Sequence, residues 1–226
     1  MVEQTLRPTV LLFDVNETLL DLTPLSDNIN AVLLDERAAK LWFTTMLQYS
    51  LVMTVSEQYA ALPNIGAAVL EMMAKNTDVV LTSEDAEKAL EPMRTLPSFP
   101  DVRPGLEKLK HHGFRLATLT NSSQAGVKAQ IEYAGLADCF EQQLSVESVG
   151  RYKPHRAVYE WAASEMQCQP SRCMLVAAHG WDVAGAKWAG LQTTFISRAG
   201  QQLFPLGPKP DFHVADILGL ADQLCG

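Results

Sequence analysis

Residues 9–18 read TVLLFDVNET, and this stretch indicates both the fold and the place where chemistry occurs. The short apolar run at residues 9–13 is typical of a strand that is buried on both faces of a parallel sheet. Asp14 follows this run directly. Sites in open parallel sheets form at the carboxyl ends of the strands. We therefore expect Asp14 to lie in a functional site.

The block from about Pro24 to Leu96 has a helical pattern and contains no convincing strand. Apolar residues recur at helical spacing in one segment, and a second helix is indicated at residues 67–73. Thr82 and Asp85 resemble a capping box that opens a third helix. The first segment contains Leu41, Trp42, Met46, Leu47, Leu51, Val52 and Val55. We expect a helical cap domain at 23–96, inserted after the first strand into a core domain formed by 1–22 and 97–226.

Strand and helix patterns alternate after Pro97. This alternation predicts an α/β fold with a doubly wound, Rossmann-like parallel sheet. Gly113 and Gly135 fall where helix C-caps belong. The predicted helices are 106–112, 124–134, 156–166 and 183–189, and the predicted strands are 114–120, 173–178, 193–197 and 212–214.

Bulk properties exclude several classes of protein. The net charge is -8, and no long basic run is present, which argues against nucleic-acid binding. No segment has the length and apolarity of a membrane span, and the N-terminus does not resemble a signal peptide. The four cysteines form no C-x-x-C pair, so neither a zinc site nor a redox motif is indicated. We expect free thiols in a reducing cytoplasm.

Polar clusters stand at four predicted strand ends. One such cluster is usually only a loop. Four clusters that together hold two carboxylates, a lysine and a hydroxyl/amide group indicate an active site. They are 14–18 (DVNET), 120–123 (TNSS), 151–154 (RYKP) and 179–182 (HGWD).

These clusters resemble the motifs of the haloacid dehalogenase (HAD) superfamily, and the resemblance spans Val10 to about Val214. FDVNETLLDL resembles the nucleophile motif, LTNSS the second motif, YKP the lysine motif and AAHGWDVAGAKWAGL the fourth. The fourth motif and KPHRAVYE are particularly similar to the type II (S)-2-haloacid dehalogenases. The resemblance implies catalytic roles for Asp14 as nucleophile and for Thr18, Lys153 and Asp182. It implies that the substrate is contacted by Val15, Asn16, Phe43, Thr120, Asn121, Tyr159, His179 and Trp181.

Two departures from the superfamily pattern argue against phosphatase chemistry. The position two residues after the nucleophile, where HAD phosphatases usually carry an aspartate, is Asn16, which cannot act as a general acid or base. Ala177 and Ala178 stand where phosphatases place a glycine-aspartate pair that helps to hold magnesium, an ion that prefers hard oxygen ligands. We therefore expect no metal and no cofactor, and a reaction at carbon on a small-molecule carboxylate substrate.

The expected chemistry follows from the residues. Lys153 keeps Asp14 ionised against the effect of burial. Backbone amides after Asp14 and at the helix that begins near Ser123 bind the substrate carboxylate, with hydrogen bonds from Thr120 and Asn121. Asp182 orients either Lys153 or the water that hydrolyses the ester.

A third departure leaves the leaving group open. Type II enzymes carry a cap arginine that helps to bind the departing halide, and Phe43 stands at that position. His179 replaces an asparagine, and both a packing and a catalytic role are open for it. Four functions remain: (S)-2-haloacid dehalogenation, metabolite phosphatase activity, opening of a strained ring next to a carboxylate, and binding without catalysis. Members of this family are often dimers, and the apolar insert is compatible with a homodimer.

Overall fold

The computed structural model describes residues 7–226 and contains a six-stranded parallel sheet in the order β3-β2-β1-β4-β5-β6. The central strand β1 is completely buried, as its apolar sequence predicts. The sheet confirms the predicted α/β fold. The strands are β1 (Val10–Phe13), β2 (Arg115–Thr120), β3 (Gln142–Ser145), β4 (Cys173–Ala177), β5 (Gln192–Ile196) and β6 (Phe212–Val214).

Helices flank the sheet, and four of them form an insert between β1 and β2, as predicted. The insert contains α1 (Thr23–Leu33), α2 (Ala38–Val55), α3 (Leu62–Asn76) and α4 (Ser83–Ala89). Thr82 and Asp85 form the predicted capping box at α4. The other helices are α5 (Val102–His111), α6 (Gln124–Tyr133), α7 (Arg156–Glu165), α8 (Gly180–Trp188) and α9 (Ile217–Cys225).

The chain leaves and re-enters the sheet at adjacent points. The amide of Asp21 donates to the carbonyl of Pro97 at 2.8 Å, and the amide of Phe99 donates to the carbonyl of Leu19 at 3.0 Å. The four inserted helices are therefore attached to the sheet through two neighbouring backbone segments.

The structure corrects one sequence interpretation and adds three elements. The segment 151–154 does not follow a strand end directly, because β3 ends at Ser145 and a 3-10 turn, Val146–Ser148, comes between. The strand β3 was not predicted because its sequence, QQLS, has no apolar run and its first half is only partly buried. Helices α1 and α9 were not predicted either.

Two close approaches bring α8 against its neighbours. A Cβ on Gly185 would lie 2.4 Å from Cβ of Pro154 and 2.8 Å from the hydroxyl of Tyr159. A Cβ on Gly180 would lie 2.4 Å from the carbonyl oxygen of Gln202. Only glycine fits at these points, so the sequence allows α8 to approach both α7 and the loop after β5. No helix in residues 7–226 is long and apolar enough to cross a membrane.

Candidate active site

Asp14 lies at the carboxyl end of β1, and its buried carboxylate has three hydrogen-bond partners. Lys153 Nζ donates to Oδ1 at 2.8 Å, Thr18 Oγ1 donates to Oδ2 at 2.7 Å, and His179 Nδ1 lies 3.1 Å from Oδ2. Burial raises the pKa of Asp14, but the cations of Lys153 and His179 outweigh burial and hold the pKa well below its ordinary value. Asp14 is therefore ionised at neutral pH.

Lys153 is completely enclosed, and its ammonium group has a partner for each of its three protons. Besides Asp14, Nζ donates to Asp182 Oδ2 at 2.6 Å and to the carbonyl of Leu119 at 2.9 Å. Burial lowers the pKa of this lysine, but the two carboxylates outweigh it and raise the pKa above the ordinary value. The backbone amide of Lys153 donates to Asn121 Oδ1 at 3.1 Å, which ties the lysine loop to the end of β2.

Asp182 stands in the first turn of α8 and is fully buried. Its Oδ1 accepts a hydrogen bond of 2.6 Å from the hydroxyl of Tyr159, while Oδ2 binds Lys153. Burial and the nearby charge of Asp14 raise the pKa of Asp182. Because both oxygens are occupied by protein donors, the geometry connects Asp182 to Lys153 rather than to solvent.

His179 links Asp14 to a second carboxylate, that of Glu17. Its Nε2 lies 2.8 Å from Oε2 of Glu17, and Gln201 Nε2 donates to the same oxygen at 3.1 Å. Burial lowers the pKa of His179, but the hydrogen bonds to Asp14 and Glu17 outweigh it and raise the pKa to about 9. His179 is therefore an imidazolium at neutral pH when Asp14 is ionised.

Aromatic rings cover the other faces of His179. The Phe43 ring is stacked on it at 6.1 Å between centroids, and the Trp181 ring at 5.2 Å. Lys153 Nζ lies 5.9 Å from the Trp181 ring centroid. Phe43, which belongs to α2, therefore brings the helical insert to the site.

The remaining predicted site residues lie at or just after the carboxyl ends of β1 and β2. Asn16 bonds Ser122 and Gln130 through its side-chain amide, at 3.3 and 2.9 Å. Thr120 accepts from the amide of Ser122 at 3.1 Å and so supports the turn after β2. Within residues 7–226, the backbone amides of Val15 and Asn16 donate to no acceptor. These two amides are free to bind an anion.

Sequence reasoning gave no role to Glu17, Gln201 or Arg198. Glu17 has a left-handed backbone with φ 60°, and its side chain contacts His179. Arg198 binds the carbonyl of Thr18 through two donors, at 3.1 and 3.0 Å, and also pairs with Asp101. Gln201 and Arg198 come from the loop after β5, where no sequence signal marks them. The described residues contain no cluster of three His, Cys, Asp or Glu side chains able to hold a metal ion.

The family of the chain follows from a comparison with known protein families. The family model for haloacid dehalogenase-like hydrolases matches residues 8–190. The chain belongs to this family. It is 31% identical to haloacetate dehalogenase H-2 of Moraxella sp. (strain B), over 77% of this chain and 78% of that protein. It is 28% identical to the (S)-2-haloacid dehalogenase of Pseudomonas sp. (strain YL), over 80% of this chain and 78% of that protein.

The fold matches solved haloacid dehalogenases along almost the whole chain. The L-2-haloacid dehalogenase from Xanthobacter autotrophicus superposes with a TM-score of 0.90 at 20% identity, covering 97% of this chain and 99% of that one. A second structure of that protein has chloropropionic acid covalently bound. These findings confirm the predicted family and fold and show that the chain is a haloacid dehalogenase-like hydrolase.

Proposed function

We propose that this hydrolase releases halide from small (S)-2-haloacids through a covalent ester on Asp14. The main support for this proposal is that the buried carboxylate of Asp14 is ionised and accepts a hydrogen bond from the enclosed Lys153. The names of the two relatives and the covalent adduct in the Xanthobacter structure support a carbon-centred reaction.

The first step is displacement at carbon. An Asp14 oxygen forms a bond to the α-carbon of the haloacid, and the carbon-halogen bond breaks with its electron pair leaving on the halide. The free amides of Val15 and Asn16 can hold the substrate carboxylate. The imidazolium of His179 supplies a positive charge on the side of the pocket where Phe43 replaces an arginine.

The second step is hydrolysis of the ester. Esterification removes the charge of Asp14, so the pKa of His179 falls and the imidazole releases its proton. Water then attacks the ester carbonyl carbon of Asp14, and neutral His179, held by Glu17, accepts the proton of that water. The bond between the Asp14 carbonyl carbon and the product oxygen breaks, and the second proton of the water passes to that oxygen. This gives the 2-hydroxy acid and restores Asp14 as a carboxylate beside protonated His179. One proton and one halide are released in each turnover.

The helical insert fits the role of a cap domain at 23–96 over a core of 1–22 and 97–226. The adjacent exit and return of the chain at Asp21 and Pro97 support these boundaries. Besides Phe43, the insert meets the core where Thr54 Oγ1 accepts from the amide of Tyr152 at 3.0 Å, next to Lys153. We further propose a cytoplasmic location, which is supported by four free cysteines.

Isotope labelling tests the covalent ester. With enzyme in excess over (S)-2-chloropropionate in heavy-oxygen water, a single turnover should place the label in Asp14, as read by peptide fragmentation. Asp21 lies in the same segment and serves as the internal control. Label that appears only in the hydroxy acid would mean direct attack by water, and the proposal would then be wrong.

A substrate panel separates the alternative reactions. It contains both enantiomers of 2-chloropropionate, a phosphate ester and a small cyclic amino acid, each with and without EDTA. We expect halide release from the S enantiomer that survives chelation, since the Lys153 ammonium group pairs with both Asp14 and Asp182. Magnesium-dependent hydrolysis of the phosphate ester would move the protein to the phosphatases.

A further inference from the structure

A cavity of about 510 Å³ opens beside the site, between helices α1 and α2 of the insert and the loop after β5. It meets the site at His179, whose ring is bonded to Asp14, and at the neighbouring Trp181. Its volume lies within the range of about 300–1,000 Å³ that is typical of pockets for drug-sized ligands. The cavity is therefore much larger than the halogenated two- and three-carbon acids named for the relatives require.

The apolar residues of the cavity lining, which we call its floor, include the half-buried Phe43 and Leu47. Leu22, Leu25 and Trp42 line it and are themselves almost completely buried. Phe43 stands at the junction, in contact with Trp42 on one side and His179 on the other, at 6.3 and 6.1 Å between ring centroids. An arginine at position 43 would bring a charge to this junction, whereas Phe43 continues the apolar wall from the site into the cavity.

The charged groups of the cavity lining form two sets, and uncharged polar residues of α1 and α2, Ser26, Asn30 and Thr44, also line it. Glu36 and Lys40 are exposed and mark the outer end, while Glu17 and His179 mark the end at Asp14. A ligand with one charged, reacting end and one apolar extension matches this distribution. In a 2-haloacid, the carboxylate and the carbon-halogen bond must remain near Asp14, so the substituent on the α-carbon is the part that can extend along the floor.

We propose that the preferred substrates are 2-haloacids whose α-carbon carries an extended apolar substituent, such as an unbranched alkyl chain or an aromatic ring. The inference rests on the proposed function and adds the substrate class to it. Each methylene that moves from water onto the apolar floor should raise kcat/KM about fourfold until the floor is covered.

Halide release from a series of (S)-2-bromo acids, from 2-bromopropanoate to 2-bromooctanoate, tests the inference. We expect kcat/KM to rise steadily through at least the first three added methylenes. A flat or falling series with 2-bromopropanoate still turned over would overturn the inference and leave the proposed function intact. Absence of halide release from every member would overturn both.

Variants that fill the cavity locate the substituent. Leu47 lines the cavity and is half-buried, so Leu47→Trp should lower the ratio of kcat/KM for 2-bromooctanoate to that for 2-bromopropanoate at least tenfold. Ser26→Phe fills the same space from α1 and should act alike if Leu47→Trp folds poorly. Leu51→Trp is the matched control, because Leu51 lies one turn along α2, is exposed and does not line the cavity. An unchanged ratio in folded cavity variants would mean that the substituent lies elsewhere, and the inference would be wrong.

Discussion

The raised pKa of His179 predicts a pH-dependent stability that can be measured without any substrate. The imidazole is bonded to Asp14 and Glu17, and its pKa rises from 6.5 to about 9. This difference corresponds to about 3 kcal/mol of folding free energy. Because the folded pKa is above the unfolded one, the stabilisation is fully present below pH 6.5 and is lost as the pH rises through about 9.

Chemical denaturation of the native protein and of His179→Gln measures this contribution. The free energy of unfolding of native protein minus that of the variant should fall by about 3 kcal/mol between pH 6 and pH 10. Subtraction removes the groups that both proteins share, such as the cysteines. His112→Gln provides the control for loss of an imidazole, since His112 is exposed at the end of α5.

The origin of the shift can be tested separately by NMR titration of the His179 ring. Asp14→Asn and Glu17→Gln each remove one carboxylate that bonds the ring, so each should lower the titration midpoint of His179. A native midpoint at or below 6.5, or a flat difference curve between pH 6 and pH 10, would refute the reasoning. His179 would then be neutral in the resting protein and could not supply the positive charge that we assign to it.

Two further substitutions test individual contacts of the site. Phe43→Arg should raise halide release from (S)-2-chloropropionate by up to about a hundredfold, because a guanidinium can donate to the departing anion. Phe43→Leu provides no donor and is the control. An unchanged rate in folded Phe43→Arg would show that the halide is already stabilised elsewhere. Tyr159→Phe leaves Oδ1 of the buried Asp182 without its donor and should lower the free energy of unfolding by about 1.5–3 kcal/mol, as measured by urea denaturation at pH 7. The control is Tyr133→Phe, which alters an exposed ring. Equal stability of the two variants would contradict the role of the Tyr159 hydroxyl.

The sequence predicted the elements whose patterns are strong and missed those that depend on tertiary contacts. The apolar run of β1 and the capping box at Thr82 are local signals, and both are found in the structure. The strand β3 carries no such signal, because its two glutamines lie at the edge of the sheet and are only partly buried. The order of the strands also depends on pairing over long sequence separations, which local patterns do not contain.

The sequence likewise predicted the site residues that lie in motifs and missed those that tertiary contacts bring to the site. Asp14, Thr18, Lys153 and Asp182 lie in motifs with recognisable spacing, and the structure brings their side chains into direct contact. The partner of His179 could not be inferred in the same way. Glu17 contacts His179 from a left-handed backbone position, and Gln201 comes from a loop 184 residues further along the chain. Neither feature leaves a pattern in the sequence.

The distribution of charge explains why the base in our mechanism is His179 and not Lys153. Each cation lies between two carboxylates in the resting site, and Asp14 is the carboxylate that they share. Ester formation removes that shared charge and leaves Lys153 with Asp182 and His179 with Glu17. Lys153 starts from a pKa above 10.5 and keeps a partner at 2.6 Å, so it stays protonated. The pKa of His179 starts from about 9, so losing one of its two carboxylates lowers it toward the ordinary value of 6.5. The covalent step itself thus converts His179 from a cation that can stabilise the departing halide into a base that can activate water.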